Sequence, residues 1–368
     1  MKRKLRKKIL SIVPLPPPIH GSAMMCQCIK NSHLINDTFE CDYVNLSTSR
    51  RMNEIGKRSI KKILRFIGSY LAVLGKLLTH HYDACYLAIT CHGIGFLKDA
   101  PFVLLCKLFG RKIIIHQHNK GMSNDVNHWP YRWLLPLVYK NTTVILLSWK
   151  LYPDIEQVVK REQVVICPNG ISDINILPQK HPNILPHLLF LSNLMESKGV
   201  IDLLDACQIL KGRRYRFICN FVGSETKEID THRFQEEVHV RKLDDVIFYL
   251  GSKYGQEKYD IFSESDMLIS PTYNDCFPLV LLEAMRQNLA IITTDEGATT
   301  DIVYDGVTGW IAKKRCPENL ADKIGSLLDN PKTMIKMGQE GRKRFLENFT
   351  LKNYEERMKE LIDNTIVK

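Results

Sequence analysis

The chain has 368 residues, 45% hydrophobic and 25% charged, a composition that is ordinary for a globular protein and a length that favours two domains. Its apolar runs fall short of the roughly 20 residues that a bilayer-spanning helix needs, which argues against an integral membrane protein. The 11 scattered cysteines show no zinc spacing and follow no signal peptide, so we expect reduced thiols in a cytosol rather than a secreted disulfide framework.

Charge is distributed unevenly along the chain. Residues 1–180 carry 26 Lys and Arg against 11 Asp and Glu, a formal charge of +15, whereas residues 181–368 carry −4. The basic half predicts an anionic partner, either a phospholipid surface or a nucleic acid. Lys57–Ile67, continued by Tyr70–Leu74, has the pattern of a basic amphipathic helix that can lie on an anionic membrane, and positions 2–8 add a basic run. The alternative, a solvated helix with one core-facing stripe, is the more common outcome for any single helix.

Short apolar segments alternate with helix-like segments from start to finish. The predicted strands of the first half are Ile9–Val13, Cys41–Leu46, Ala84–Ile89, Lys112–Ile115, Val144–Leu147 and Val164–Ile166. Those of the second half are His187–Leu191, Phe217–Val222, Val246–Leu250, Met267–Ser270 and Ala290–Thr293. Continuous apolar strands are typical of a parallel sheet covered on both faces. Two successive arrays of this kind predict an α/β protein with two Rossmann-like domains facing a central cleft.

The predicted boundaries follow from the same pattern. The first domain takes residues 1–177, and residues 178–186, with three prolines, form the linker. The second domain takes residues 187–345. The charged helix at 346–368 can cross back to the first domain.

The most informative stretch runs from Ser270 to Met285 and joins an apolar strand to a nearly all-apolar helix. Pro278 suits the first helical position, and Phe277 stands where a Ser or Asp cap is usual. The N–H groups of Leu279 and Val280 therefore have no obvious side-chain acceptor. An uncapped helix start at the carboxyl end of a strand is an anion site.

Two carboxylates, Asp275 and Glu283, flank this turn. Glu283 is the only charge between Leu279 and Met285, so we expect it to be buried and to have a partner. A phosphate-sized anion site with two flanking acids predicts a sugar-nucleotide site.

Two other strand ends offer candidate phosphate contacts. A proline run delivers Gly21 to a helix start, and Lys198 opens the helix after the strand that ends at Leu191. Taken alone, Gly21 is more often a turn residue and Lys198 a solvated lysine. No G-x-G-x-x-G is present, which removes the main support for a nicotinamide dehydrogenase. A metal held by Cys26, Cys28 and a histidine is a weaker alternative.

Together these segments resemble a family 4 glycosyltransferase, a retaining enzyme of GT-B fold, of the bacterial surface-polysaccharide type. The resemblance spans nearly the whole chain and centres on the family's E-x7-E motif, answered by Asp275 and Glu283 within DCFPLVLLEAM. The supporting segments are PLPPPIHGSA near the start, PNGI at 168–171, LSNLMESKGV at 191–200, FVGS at 221–224 and IVYDGVTGW at 302–310. Each is weak alone, and their ordered occurrence is strong.

The resemblance implies a role for each matching residue in the second domain, which it makes the nucleotide-sugar domain. Glu283 is expected to hold the donor ribose, Lys198 the diphosphate, and Asp275 the hydroxyls of the transferred sugar. The phosphate-binding backbone is expected from the segment Phe277, Pro278, Leu279 and Val280. Asp275 departs from the family glutamate by one methylene, so its sugar contact can be altered or water-mediated. Asn193 replaces a family arginine, which leaves less positive charge for the diphosphate, and it stays a candidate donor contact.

In the first domain, which the resemblance makes the acceptor side, Gly21 is expected to close on the diphosphate. His118, in the segment IHQHN, best matches the family histidine near the reacting sugar, with His116 as its competitor. Gln117 and Lys120 are further candidates beside them. The predicted catalytic group is therefore His118, Asp275 and Lys198, which position and stabilise rather than attack as nucleophiles.

The implied activity is retaining, metal-independent transfer of a sugar, with no cofactor, from a nucleotide-sugar donor. A UDP-sugar is favoured and a GDP-sugar is second. The expected acceptor is a saccharide, with a polyprenyl-diphosphate-linked one favoured, at the inner face of the cell membrane in capsule, O-antigen or exopolysaccharide assembly. No nucleic-acid partner is expected. The alternatives are a sugar-nucleotide epimerase on the same fold and, on the charge alone, a basic nucleic-acid-binding protein.

Overall fold

The computed structural model describes residues 6–18, 20–49, 59–174 and 184–367. The strands are β1 Lys8–Val13, β2 Glu40–Asn45, β3 Ala84–Leu87, β4 Lys112–His116, β5 Thr143–Leu146, β6 Val164–Ile166, β7 His187–Leu191, β8 Ile218–Val222, β9 Ile247–Tyr249, β10 Met267–Ser270, β11 Ala290–Thr294 and β12 Gly309–Ala312. The helices are α1 Gly21–Asn31, α2 His33–Thr38, α3 Ile60–Thr79, α4 Gly93–Leu108, α5 Met122–Asp125, α6 Tyr131–Tyr139, α7 Val200–Gly212, α8 Thr231–Val240, α9 Gly255–Glu264, α10 Leu279–Arg286, α11 Thr299–Ile302, α12 Pro317–Leu328, α13 Pro331–Asn348 and α14 Leu351–Val367.

The chain forms two compact units. The first unit comprises Met1–Gly170 and Leu351–Lys368, and the second comprises Ile171–Thr350. The unit boundaries therefore differ from the domain ends predicted at residues 177 and 345. The reason is that Ile171 pairs with Thr350 in a β-bridge, and the N–H of Ile171 donates to the carbonyl of Phe349 at 3.0 Å. Both ends of the second unit are therefore joined to each other.

The final helix, α14, belongs to the first unit. Its buried residues are Tyr354, Met358, Ile362 and Ile366, which recur every four residues and so form one stripe. This stripe packs against α2 and β4, which bury it within the first unit. This confirms the prediction that the C-terminal helix can cross back to the first domain.

Each unit is built on one six-stranded parallel sheet. The strand order is β2-β1-β3-β4-β5-β6 in the first unit and β12-β11-β10-β7-β8-β9 in the second. The two predicted Rossmann-like domains are confirmed. Because all strands in a sheet run the same way, the loops that follow β7, β10, β11 and β12 emerge at one edge of the second sheet.

The core of the second unit fixes the register of the strands that lead to this edge. Leu188, Phe190, Ile269 and Ile292 are almost fully buried within one hydrophobic cluster. Adjacent strands place Ile269 opposite Ile292, and a shift of register by one residue would move this apolar set to the opposite face of the sheet. The core therefore fixes where each of the four loops begins.

Three sequence predictions fall partly outside the described residues. They are the basic run at positions 2–8, the start of the basic helix at Lys57 and Arg58, and most of the linker 178–186. The described part of that helix is α3.

Candidate active site

The turn between β10 and α10 is the centre of the site in the second unit. Helix α10 begins at Leu279, one residue later than predicted, because Pro278 has an extended ψ of 112° and serves as the N-cap. Its carbonyl accepts the N–H of Leu281 at 3.2 Å. No side chain of the described residues caps this helix start, as the sequence predicted. Phe277 is buried with its ring against Phe349, so it can offer a ligand only its backbone.

The structure brings Lys198 and Asp275 together. The Lys198 ammonium lies 2.5 Å from Asp275 Oδ2 and 3.0 Å from the carbonyl oxygen of Asn274. Both side chains are about four-fifths buried, with relative exposures of 22% and 23%. A partly buried pair of this kind is screened less than a surface ion pair. The sequence placed these residues at different strand ends, and the fold joins them.

Close backbone packing makes this contact possible. The N–H of Tyr273 donates to the carbonyl of Ser197 at 3.0 Å, which ties the loop after β10 to the loop after β7. Gly199 has a left-handed φ of 78°, and a Cβ there would lie 2.4 Å from the carbonyl oxygen of Pro271. Only glycine allows the two loops to approach this closely.

A buried acid that the sequence analysis missed supports Asp275 from below. Glu296, which follows β11 and is 5% exposed, accepts the N–H of Asp275 at 3.4 Å through Oε1. Its Oε2 lies 2.5 Å from the ammonium of Lys314. Gly297 packs directly on this turn, since a Cβ there would lie 2.4 Å from the Asp275 carbonyl oxygen. Asp275 Oδ1 also accepts the N–H of Cys276 at 2.9 Å.

Positive charge at this edge exceeds what Lys198 alone provides. Lys314 follows β12 in the chain, and so does Arg315, whose guanidinium stacks over the ring of Tyr273 at 4.5 Å from the centroid. A cation on an aromatic face is stabilised by the ring quadrupole. Of these two cations, Lys314 is paired with Glu296. Asn193 stands where a family arginine was expected. Asn193 itself lies in the loop after β7, partly exposed, in the same loop as Lys198.

Glu283 lies one turn into α10 and is paired with Lys258 of α9. The Lys258 ammonium lies 2.7 Å from each carboxylate oxygen. The Glu283 side chain is 19% exposed, so it is partly buried rather than fully buried, and it has the charged partner that the sequence predicted. Nothing local in the sequence indicates Lys258, because it stands 25 residues away on another helix.

In the first unit, the two candidate histidines have different environments. His116 is the last residue of β4 and fully buried, and its Nδ1 lies 2.7 Å from the Tyr86 hydroxyl. His118 lies two residues past the strand end and is partly exposed, with its ring centroid 4.0 Å from that of His116. Burial lowers the pKa of His118 to about 3, and the nearby His20 adds to this effect. His118 is therefore a neutral imidazole at neutral pH.

His20 joins Gly21 to this histidine group. His20 is the N-cap of α1, and its Nδ1 accepts the N–H of Ala23 at 3.3 Å. Gly21 is the first residue of α1 and is exposed. The loops after β1 and β4 emerge at the same edge of the first sheet, because its strands are parallel.

The structure also shows the surroundings of Gln117 and of the side chains that could bind a metal. The side chain of Gln117 contacts the carbonyl of Asn119 at 3.3 Å and the hydroxyl of Tyr139 at 3.4 Å, so it links elements of the first unit. Within the described ranges, no group of three or more His, Cys, Asp and Glu side chains could hold a metal ion. The expectation of metal-independent chemistry stays a prediction.

Comparison with known proteins shows that the chain is similar to glycosyltransferases. Residues 175–344 match the family described as "Glycosyl transferases group 1". The chain is 27% identical over 157 residues to a D-inositol 3-phosphate glycosyltransferase of Arthrobacter sp., covering 42% of this chain and 37% of that protein. It is 23% identical over 181 residues to the capsular polysaccharide biosynthesis glycosyltransferase CapM of Staphylococcus aureus, covering 48% and 47%. The chain thus spans less than half the length of these relatives.

The fold has solved counterparts over almost its whole length. A structure titled Anabaena Alr3699/HepE in complex with UDP superposes with a TM-score of 0.75 at 14% identity, covering 97% of this chain and 100% of that one. At this identity the likeness concerns the fold, and it agrees with the GT-B fold expected from the sequence. No described helix has both the length and the hydropathy required of a membrane-spanning segment.

Proposed function

Because residues 175–344 match the family described as "Glycosyl transferases group 1", we propose that the chain transfers a sugar from a nucleotide-sugar donor to a saccharide acceptor with retention of configuration. The observation that carries this proposal is the Lys198–Asp275 pair beside the uncapped start of α10. It combines a cation, a helix N-terminus and a sugar-binding carboxylate at one strand end. A UDP-sugar is the favoured donor and a GDP-sugar the second, and the UDP complex of the Anabaena protein supports this order.

The second unit has a complementary group for each part of such a donor. The diphosphate is assigned to Lys198 and to the free N–H groups at Leu279 and Val280, where the helix dipole also favours negative charge. The ribose diol is assigned to Glu283, because an ionised carboxylate accepts two hydroxyl hydrogen bonds. The transferred sugar is assigned to Asp275, which Glu296 and the N–H of Cys276 hold in place.

The proposed chemistry is a front-face transfer. The bond between the anomeric carbon and the diphosphate oxygen breaks, and the acceptor oxygen bonds to that carbon on the same face. The acceptor proton passes to the departing phosphate oxygen. Lys198 and the helix N-terminus stabilise the charge that develops on the leaving group, which is electrostatic catalysis by preorganised groups. Metal independence is part of this proposal, as is the assignment of neutral His118 to the reacting sugar.

We assign the acceptor to a lipid-linked saccharide, a polyprenyl-diphosphate-linked one being the favoured case, at the inner face of the cell membrane. The support lies on α3, which presents an apolar stripe to solvent although it belongs to a globular unit. The exposed residues of the stripe are Ile60, Ile63, Leu64, Ile67, Leu71 and Leu78. Basic residues Lys61, Lys62 and Arg65 accompany it, and α3 contains no acidic residue. A helix of this kind lies in the interface of an anionic bilayer.

A donor screen tests the nucleotide assignment. Thermal shift with UDP-, GDP- and ADP-sugars should show stabilisation by the UDP-sugar first, since a ligand that binds only the folded state raises its stability. Lys198→Ala and Glu283→Ala should abolish both this shift and transfer. Lys332→Ala, at an exposed lysine of the same unit, is the matched control and should retain both. Normal transfer by both site variants would overturn the assignment.

Two further measurements separate the alternatives. Incubation with donor alone should leave the nucleotide sugar unchanged, whereas an epimerised product would favour the epimerase. Co-sedimentation with vesicles should require anionic lipid and should weaken when Leu64 and Leu71 are both changed to Glu. Equal binding to neutral vesicles would contradict the membrane assignment.

A further inference from the structure

A second exposed apolar face lies on α6 and the turn before it. Trp129, Trp133 and Leu137 have relative exposures of 80%, 65% and 52%. The spacing of four residues places Trp133 and Leu137 on one side of α6, and Trp129 lies in the turn that precedes this helix. The other side of this helix, with Leu135, Val138 and Tyr139, is buried in the first unit. Two indoles held in water on a well-packed helix indicate a surface that is covered when the protein functions.

Within the segment 126–140 the charges have one sign, and Asp125, which precedes it, is partly buried and accepts the N–H of Gly93 at 2.6 Å. The segment 126–140 contains no Asp or Glu, and Arg132 and Lys140 are exposed on it. The Arg132 guanidinium stacks on the ring of Trp133 at 4.9 Å from the centroid. The Lys107 ammonium binds the carbonyls of Leu137 and Lys140, at 2.7 and 2.6 Å, and so adds a cation at the end of the helix.

This face is joined to α3 through α4. Helix α4 contacts both α3 and α6. On one side, the rings of Phe66 and Phe102 pack edge to face at 5.5 Å. On the other, Phe96 and Tyr131 pack at 6.0 Å. The three helices therefore form one packed layer, and each of them carries exposed large apolar residues, those of α4 being Ile94 and Leu108.

We propose that α6 is a second bilayer contact, with Trp129, Trp133 and Leu137 seated in the headgroup region of an anionic membrane to which α3 also binds. This rests on the membrane association proposed above and extends it from one helix to a surface of the first unit. Tryptophan is suited to that position because its ring is apolar while its N–H can remain hydrated. Two contacts on one rigid unit bind far more stably than either alone, since the second binding event is intramolecular.

The charge pattern favours lipid over a second copy of the chain. If two copies met through this face, Arg132 and Lys140 of one would approach the same residues of the other with no carboxylate from the segment between them. Like charges brought together in this way are destabilising. An anionic bilayer supplies the missing negative charge.

The test uses the four tryptophans of the chain as probes. Trp129→Phe, Trp149→Phe and Trp310→Phe combined leave Trp133 as the only indole. With vesicles of phosphatidylglycerol and phosphatidylcholine, Trp133 emission should shift to the blue and be quenched by lipids brominated on the acyl chain. The matched control retains Trp310 alone, whose ring is covered by Lys323 in the second unit, and should show neither change.

Vesicle binding by chains that carry a single substitution gives the second readout. Trp133→Ala should weaken partitioning onto anionic vesicles by about tenfold. This is the effect expected from losing the contact of an indole ring that is roughly half buried in the bilayer. Trp149→Ala, at an exposed tryptophan elsewhere in the first unit, should leave partitioning unchanged. A donor-induced thermal shift in each variant verifies folding.

Three results would overturn this inference. The first is vesicle binding by the wild-type chain without quenching of Trp133, which would leave α3 as the membrane contact and remove α6 alone. The second is a change of Trp133 emission with soluble saccharide but not with vesicles, which would make the face a glycan platform. The third is failure of the wild-type chain to bind anionic vesicles, which would remove the membrane association as a whole.

Discussion

The ammonium of Lys258 lies 2.7 Å from both carboxylate oxygens of Glu283, so that α9 holds the acid that α10 presents to the proposed donor site. The lysine limits the rotation of this partly buried carboxylate. A carboxylate that must accept two hydroxyl hydrogen bonds benefits from being held in one orientation before the ligand arrives. If Glu283 binds the donor ribose as proposed, Lys258 is a positioning residue for that contact.

Lys258→Met is expected to weaken donor binding by about fivefold, the equivalent of roughly 1 kcal/mol for a partly buried ion pair. The Kd for UDP, measured by calorimetry, checks this. Lys253→Ala, which removes the exposed pair with Glu257 at 3.0 Å, is the matched control and should leave the Kd unchanged. In the double variant with Glu283→Gln, loss of Lys258 should have no further effect, and an additive loss would contradict the coupling.

Glu296 is expected to support the site through Asp275. Glu296→Ala removes the acceptor for the Asp275 N–H and leaves the Lys314 ammonium without its buried partner, and we expect a loss of about 1–3 kcal/mol in the free energy of unfolding together with lower kcat/KM. Glu296→Gln keeps an oxygen acceptor and should be milder. Urea denaturation and initial rates measure both effects, with Glu318→Ala as a surface control. Equal effects of the two substitutions would argue against the hydrogen bond.

Gly199 and Gly251 form a matched pair for testing the loop packing. Both have a left-handed φ, 78° and 68°, but a Cβ would meet the Pro271 carbonyl oxygen at 2.4 Å in the first case and nothing within 4 Å in the second. Gly251→Ala is expected to cost about 1 kcal/mol from backbone strain alone. Gly199→Ala should cost clearly more in Tm and should also lower donor binding, because Lys198 is its neighbour. Equal losses of Tm would show that the close approach is unimportant.

The first unit is expected to lose stability in mild acid because of His118. Above pH 6.5 its imidazole is neutral in both the folded and unfolded states, so it makes no difference to stability. Between pH 6.5 and the folded pKa of about 3, the unfolded state binds a proton that the folded state does not. The free energy of unfolding therefore decreases as the pH is lowered through this range. His116, whose pKa burial also lowers, acts in the same direction.

Thermal unfolding at pH 7.5 and 5.0 measures this effect. His118→Gln should reduce the drop in Tm between the two pH values, since glutamine does not titrate. His33→Gln, at an exposed histidine of α2, is the control and should leave the drop as in the wild type. An unchanged drop in His118→Gln would refute the lowered pKa of His118 in the folded state.

Much of the site could be predicted because its signals are local. The uncapped start of α10 follows from the sequence around Pro278, and only the first helical residue was misplaced by one. The positions of Lys198 and Gly21 at helix starts follow from apolar strands that end just before them. The choice between His116 and His118 could not be made in this way. It depends on where β4 ends, and the end of a strand is set by its neighbours.

What the sequence by itself determined is the set of elements: two runs of buried parallel strands, the helix starts behind them and the acids Asp275 and Glu283. Hydrophobic periodicity and turn chemistry are properties of neighbouring residues, so they can be seen without a fold. Only the tertiary structure decided the contacts between distant segments. Lys258 pairs with Glu283, and Asp275 contacts both Glu296 and Lys198. In the same way, α14 packs in the first unit. These contacts depend on the strand order β12-β11-β10-β7 and on packing between distant segments, and no local pattern encodes either.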